Sequence, residues 1–264
     1  MREKIIGQLV AELQKHRKIL ACFEGGSAAF NRADEWSDID LQVVVKDDYV
    51  EKAVGILEKF LKEHFPIEEK IILPQPTWHG HWQGFYRFKQ ISPYLLLDIL
   101  IMKESSKSFF TETEMHGTPL IYFDQTGRVG KEHIDLSELQ QVINSRLERA
   151  GKVCRMFHRF VDKEIARQRE PDAFDMYYGM ILRTLVELLR IKYDPARWSF
   201  GSRYLSSVLP VKLYSEVKTY FYITDLADLA AKKKRVMDMI NTLLADDLAN
   251  SKALKQLIRQ KSVK

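Results

Sequence analysis

Three carboxylates and one glycine turn carry the chemistry open to this chain of 264 residues. Asp38 and Asp40 are one residue apart at the head of an apolar run, and the two-residue period of a strand turns both acids to one face with Ile39 on the other. Carboxylates held that close repel unless a cation stands between them. Hard oxygen donors of this kind suit Mg²⁺, which takes one or two protein carboxylates and completes its shell with water and substrate phosphates. Upstream stand Gly25, Gly26 and Ser27, small residues that let phosphate oxygens approach backbone N–H groups, with the dipole of a following helix to help. The third acid, Asp98, interrupts the apolar run from Tyr94 to Met102. Such a run predicts a strand buried on both faces, where an ionised carboxylate is costly unless paired or coordinated. A strand beside the Asp38/Asp40 strand would bring all three acids to one metal and nucleotide site.

The elements that must position these groups are readable from the hydrophobic period. Residues 3 to 18 carry Ile5, Ile6, Leu9, Val10 and Leu13 at helical spacing, and Ile19 to Phe23 is a short strand delivering the glycine turn. Asp40 to Val45 is the metal strand. A helix begins at Asp47-Asp48 and runs to about His64; residues 67 to 73, 82 to 89 and 94 to 102 read as strands, and Pro119 to Phe123 as a last one. Thr111-x-x-Glu114 has the spacing of a helix cap. Past residue 130 the pattern changes to long helices: one opened by a Ser137-x-x-Gln140 box, one with Pro171 in its first turn, then 210 to 222, 224 to 248 and 251 to 261. The expected fold is α+β, a mixed-sheet domain over residues 1–130 followed by an antiparallel helical bundle over residues 131–264.

The order Gly26-Ser27, then Asp38-Ile39-Asp40, then a lone Asp98 on a later hydrophobic strand resembles the nucleotidyltransferase superfamily, which includes DNA polymerase beta. In layout it is most similar to the aminoglycoside nucleotidyltransferases. The resemblance covers the first half of the chain by motif and the second only in being helical. It implies that Asp38 and Asp40 hold two Mg²⁺ ions, that Asp98 assists the acceptor hydroxyl and shares in the metal site, and that Gly25, Gly26 and Ser27 cradle the triphosphate. ATP would be the co-substrate, and the acceptor a small hydroxylated molecule such as an aminoglycoside, bound with the nucleotide in a cleft formed by the helical domain. One departure is visible: many relatives carry a small residue and a basic one soon after the Gly-Ser, where this chain has Ala28, Ala29 and Phe30 before Asn31-Arg32.

Composition narrows the setting. With 45% hydrophobic and 29% charged residues the chain is of ordinary globular stock, and no segment has the length of a membrane span. The start lacks the apolar core of a signal peptide. Cys22 and Cys154 are far apart in apolar surroundings, which favours buried thiols in a reducing, cytoplasmic compartment over a disulfide. The net charge of +5 is uneven: residues 1–130 hold 16 Lys/Arg against 19 Asp/Glu, the rest 25 against 17. The basic second half would suit a triphosphate, but no nucleic-acid binding module accompanies it. A phosphate-binding kinase loop is absent.

Other groups carry weaker expectations. Arg197 and Arg203 flank a glycine turn from which a guanidinium could reach phosphate, Arg203 being the stronger candidate. Glu187 lies one helical turn from Arg183 and nearly one from Arg190, which reads as a surface ion pair or, alternatively, as a second proton acceptor. His79 and His81 could face a metal together but have no third ligand nearby, and the aromatics around them could wall a base or acceptor. The competing functional class is a non-catalytic nucleotide-binding or antitoxin-type protein of the same fold.

Overall fold

The computed structural model describes residues 1–261. They form two compact units, Met1–Ile134 and the chain from Asp135 onward. The first unit opens with α1 (Arg2–Leu13), whose Ile5, Ile6, Leu9 and Leu13 are buried. It continues through β1 (Ile19–Glu24), the single turn α2 (Gly26–Ala29), β2 (Ile39–Val45) and α3 (Val50–His64). A hairpin of β3 (Ile67–Ile72) and β4 (Trp82–Phe88) leads to β5 (Leu97–Lys103), the short α4 (Thr113–His116) and β6 (Leu120–Asp124).

The strands make one six-stranded sheet in the order β3-β4-β5-β2-β1-β6. Only β2 and β5 pair in parallel; every other neighbour is antiparallel, so the sheet is mixed. One face is closed by helices: Leu41 and Val43 of β2 and Ile99 and Ile101 of β5 are buried in one cluster with Leu9 of α1 and Leu57 and Leu61 of α3. The alternate residues Asp40, Gln42, Asp98 and Leu100 are half-buried on the opposite face.

Further along, that opposite face is also covered: Val44 and Met102 are buried there with Ala21, Phe23 and Phe109, and Leu100 packs against them, so it is the start of the expected 94 to 102 strand that is corrected. Pro93 lies in a turn closed by Leu95 N–H donating to Ser92 O at 3.0 Å, so the ladder starts at Leu97 and Tyr94 stays exposed. The α1 helix also stops short of residue 18, because the chain folds back with Ile19 N–H on His16 O to enter β1. Thr111 does not cap α4; its hydroxyl donates to Glu132 instead, at 3.1 Å.

The second unit is helical. It comprises α5 (Leu136–Ala166), α6 (Glu170–Met176), a π-helical stretch Tyr177–Leu182, α7 (Arg183–Tyr193), the short α8 (Leu205–Val208), α9 (Val211–Thr219), α10 (Leu226–Ala245) and α11 (Lys252–Lys261). The cap of α5 is Asp135, which accepts from the N–H groups of Ser137 and Glu138 at 2.8 and 3.1 Å, placing the start ahead of the expected Ser137 box. Asp225 caps α10, within two residues of the expected start at 224, and accepts from Asp228 N–H at 2.8 Å. Both cysteines are free and buried. Among the described residues no helix is long and apolar enough to cross a membrane.

One buried ion pair locks the sheet to its first helix. Glu24 ends β1 at 1% exposure, accepts the Tyr122 hydroxyl of β6 at 2.7 Å, and pairs with the Arg2 guanidinium of α1. Removing one partner of such a pair strands the other charge in the interior. Arg2→Ala is therefore expected to cost about 3 kcal/mol, read as a lower urea midpoint at unchanged slope. Adding Glu24→Gln should recover part of the loss, since a neutral amide there no longer needs the guanidinium.

Candidate active site

The parallel register of β2 and β5 sets Asp40 directly beside Asp98. Asp38 stands just before β2, and its Oδ1 accepts the Leu96 N–H at 3.3 Å, which ties the entry of β2 to the entry of β5. The three acids thus gather at one end of two neighbouring strands. Burial is the largest influence on the Asp98 carboxyl and pushes its pKa up to about 6; the Gln83 hydrogen bond opposes this, and the charges of Asp40 and Asp38 add to it.

The glycine turn comes from the other side of β2. Gly25 N–H donates to Asp40 O at 2.9 Å as β1 gives way to α2. Gly26 has φ +52°, and a Cβ there would lie 1.7 Å from Asp40 Oδ2. Only glycine leaves room for that carboxylate, and only glycine takes this backbone without strain. Ser27 follows, its carbonyl accepting the Arg32 N–H at 2.9 Å. The helix behind the turn is a single turn of four residues, so its dipole contributes little.

Among the described residues no group of three or more His, Cys, Asp or Glu side chains is disposed to hold a metal ion by itself. The donor chemistry nevertheless suits a hard cation: carboxylates only, close enough for two to raise the proton affinity of the third, and a glycine-made recess against Asp40. Mg²⁺ bound through one or two carboxylates and completed by substrate phosphates needs no all-protein cage.

Three features of the site escape a reading of motifs. Gln83 of β4 donates from Nε2 to Asp98 Oδ1 at 2.7 Å, and its Oε1 lies 3.1 Å from His79 Nε2. His79 and His81 are therefore not a ligand pair: His79 is spent on Gln83, and His81 is buried with its ring 5.4 Å from that of His79. Trp36 and Tyr94 meet edge to face at 5.1 Å beside Asp38, both more than half exposed. Of the aromatics expected to wall a ligand, Trp78 is 90% exposed, whereas Trp82 packs against the core. The only advance signal for Gln83 is its even spacing from β4 neighbours, which any strand glutamine shares.

In the second unit Glu187 pairs neither with Arg183 nor with Arg190. Its two oxygens take the fork of Arg146 from α5, at 2.5 and 2.9 Å, and the same guanidinium lies 5.1 Å over the Trp198 ring. Packing of α5 on α7 turns the acid toward its neighbour helix rather than along its own. Arg190 is 1% exposed, bound to Asp194 at 2.9 Å and to Gly201 O at 2.6 Å. Arg203 is exposed in the turn before α8, with its carbonyl accepting from Arg190, and Arg197 pairs with Asp194.

No family model matches the chain, and no curated protein matches it. Among solved structures, an aminoglycoside 6-adenyltransferase from Bacillus subtilis aligns over 100% of this chain and 98% of its own at 11% identity and a TM-score of 0.34. A spectinomycin adenyltransferase from Enterococcus faecialis, solved with ATP and spectinomycin, aligns over 99% and 97% at 9% identity and a TM-score of 0.35. Superpositions this loose transfer no residue role.

Asp98 makes a sign-definite prediction. Its pKa is raised from 3.8 to about 6 on folding, so between those values the native state binds more protons than the unfolded chain and stability falls as pH rises. In metal-free buffer the wild type should lose up to about 3 kcal/mol relative to Asp98→Asn across that window. Urea unfolding at a series of pH values measures it, and parallel stability curves would remove the charge from this face.

Proposed function

We propose that this chain is a nucleotidyltransferase that moves a nucleoside monophosphate, AMP from ATP, onto a hydroxyl of a small acceptor of the aminoglycoside kind and releases pyrophosphate. The observation that carries the reading is the pairing of Asp40 with Asp98 in register while Gly26 is pressed against the Asp40 carboxylate. A phosphate-tolerant turn and a cluster of repelling acids are thus one structure rather than two motifs.

Asp38 and Asp40 would hold Mg²⁺, with Asp98 beside them; when bound, it neutralises the carboxylates and the triphosphate and lowers the cost of charge on the leaving pyrophosphate. The chain's own contributions follow from its geometry. Gly25, Gly26 and Ser27 let the phosphates close on the backbone, with no side chain in the way. Asp98 takes the proton of the acceptor hydroxyl as the acceptor oxygen bonds to the α-phosphorus and the bond from that phosphorus to the β-phosphate bridge breaks. A carboxylate whose proton affinity is raised to about 6 is a stronger base than an ordinary aspartate and is still ionised at neutral pH. Positioning and charge supply the rest of the acceleration. The basic balance of residues 131–264 favours the anionic nucleotide and counts against a polycationic acceptor unless acidic side chains such as Glu112, Glu114, Asp172 or Glu187 receive its amines.

The test is a screen of hydroxylated acceptors for Mg²⁺-dependent pyrophosphate release. Asp38→Asn and Asp40→Asn should each abolish release while melting at or above the wild-type temperature without metal, because each relieves repulsion as it removes a donor. Asp98→Asn should lower kcat by about 10²-fold with a smaller effect on ATP affinity. A protein that binds Mg-ATP yet releases no pyrophosphate with any acceptor would be a nucleotide-binding module instead.

Nucleotide binding gives an independent readout. ATP should raise the melting temperature only when Mg²⁺ or Mn²⁺ is present, since without the cation the triphosphate meets a cluster of like charge. Gly26→Ala should erase that shift, because its methyl group must displace the Asp40 side chain. Equal stabilisation by ATP in EDTA would mean a site that bypasses Asp40.

A further inference from the structure

Four groups form a chain of hydrogen bonds that ends on Asp98 and that the proposed chemistry has not used. The backbone N–H of His81 donates to His79 Nδ1 at 3.2 Å, His79 Nε2 lies 3.1 Å from Gln83 Oε1, and Gln83 Nε2 lies 2.7 Å from Asp98 Oδ1. Each end favours one direction. A peptide N–H can only donate, so the His81 contact calls for a bare His79 Nδ1, and a neutral ring then carries its proton on Nε2. An ionised carboxylate can only accept, so the Gln83 amide must turn its NH₂ to Asp98 and its oxygen to His79. The two deductions meet at Gln83 and agree. Thr77 Oγ1 stands 3.2 Å from the same Nδ1 while its hydroxyl donates to His81 O at 2.6 Å, holding the loop that carries both histidines; that oxygen competes with the His81 N–H for the nitrogen, so the tautomer itself is the measurement that decides.

We infer that His79 and Gln83 are positioning residues for Asp98: the one-way relay fixes the Gln83 amide so that its N–H meets Oδ1 and leaves Oδ2 as the oxygen that takes the acceptor proton. The inference rests on the nucleotidyl-transfer reading for its kinetic consequence but not for the relay itself. An amide whose two ends are nearly the same shape is held in one orientation only by its partners. Without the His79 N–H it can turn over, and its carbonyl then faces the carboxylate, repelling it and freeing it to rotate away from Asp40. Strand pairing alone does not prevent this, because Gln83 and Asp98 are not register partners; Asp98 pairs with Phe85 and Gln83 with Leu100. The outer end of the relay sits beside Trp78, the most exposed large apolar side chain described, so the orientation of a buried carboxylate is set from a surface loop.

Two measurements decide it. The ¹⁵N spectrum of the imidazoles should show His79 as the Nε2-protonated tautomer in the full-length protein, shifting toward a mixture in Gln83→Leu; an Nδ1-protonated His79 in the wild type overturns the relay. With ATP, Mg²⁺ and an acceptor found in the screen, His79→Phe and Gln83→Leu should each lower kcat about 10- to 100-fold, the range for losing an outer-shell partner, with KM for ATP unchanged. His79→Gln, whose amide N–H can stand in for Nε2–H, should recover most of the rate. Wild-type kcat in both loss variants, or equal loss in His79→Gln and His79→Phe, overturns the positioning role. If the wild type binds Mg-ATP but transfers nothing, the transfer reading fails, and the tautomer still decides for or against the relay.

Discussion

Repulsion between Asp40 and Asp98 is the interaction around which the first unit is arranged. The two acids are side by side in a parallel pair, the pairing that offers no escape by sliding: a slip of one residue would exchange the side chains that the two faces of the sheet bury. Leu41, Val43, Ile99 and Ile101 therefore hold the acids together as a by-product of burying themselves against α1 and α3. Apolar burial, of order 25 cal/mol per Å², outweighs a partly solvated carboxylate repulsion. Burial is the larger cost on the Asp98 carboxylate, the charges of Asp40 and Asp38 add to it, and a cation would relieve both.

Everything near the acids reads as accommodation of that cost. Gly26 gives up a side chain so that the Asp40 carboxylate has somewhere to lie, and Gly25 anchors the turn to the Asp40 carbonyl. Asp38 holds the Leu96 N–H, which keeps the two strand entries together. Gln83 supplies a side-chain N–H to Asp98. These are costs that a purely structural sheet has no reason to bear, and sites where stability is given up are where function concentrates.

The second unit manages its charges differently. Arg190 is buried, but its guanidinium is satisfied by Asp194 and by the carbonyls of Gly201 and Arg203, which shapes the turn after α7. Arg146 and Glu187 neutralise each other across two helices. Both Glu187 oxygens are taken by that fork, and the proposed reaction therefore draws its base from Asp98.

The amino-acid sequence by itself determined the strands and the long helices, and that Ile39 and Asp40 face opposite sides of β2, because the two periods of 2 and 3.6 residues are local properties of the backbone. It also determined the candidate acids and the glycine turn, since charge density and missing side chains are visible in one dimension. It misplaced the start of the Tyr94–Met102 strand, because a turn at Ser92 removes the first residues from the ladder. Tertiary structure alone decided that β5 lies parallel beside β2, that Gln83 faces Asp98, that His79 serves Gln83, and that Glu187 answers to Arg146 rather than to its own helix. The reason is common to all four. Each depends on which distant segments become neighbours, and hydrogen bonds and ion pairs go to whatever partner packing brings within about 3 Å, regardless of how close a rival stands in sequence.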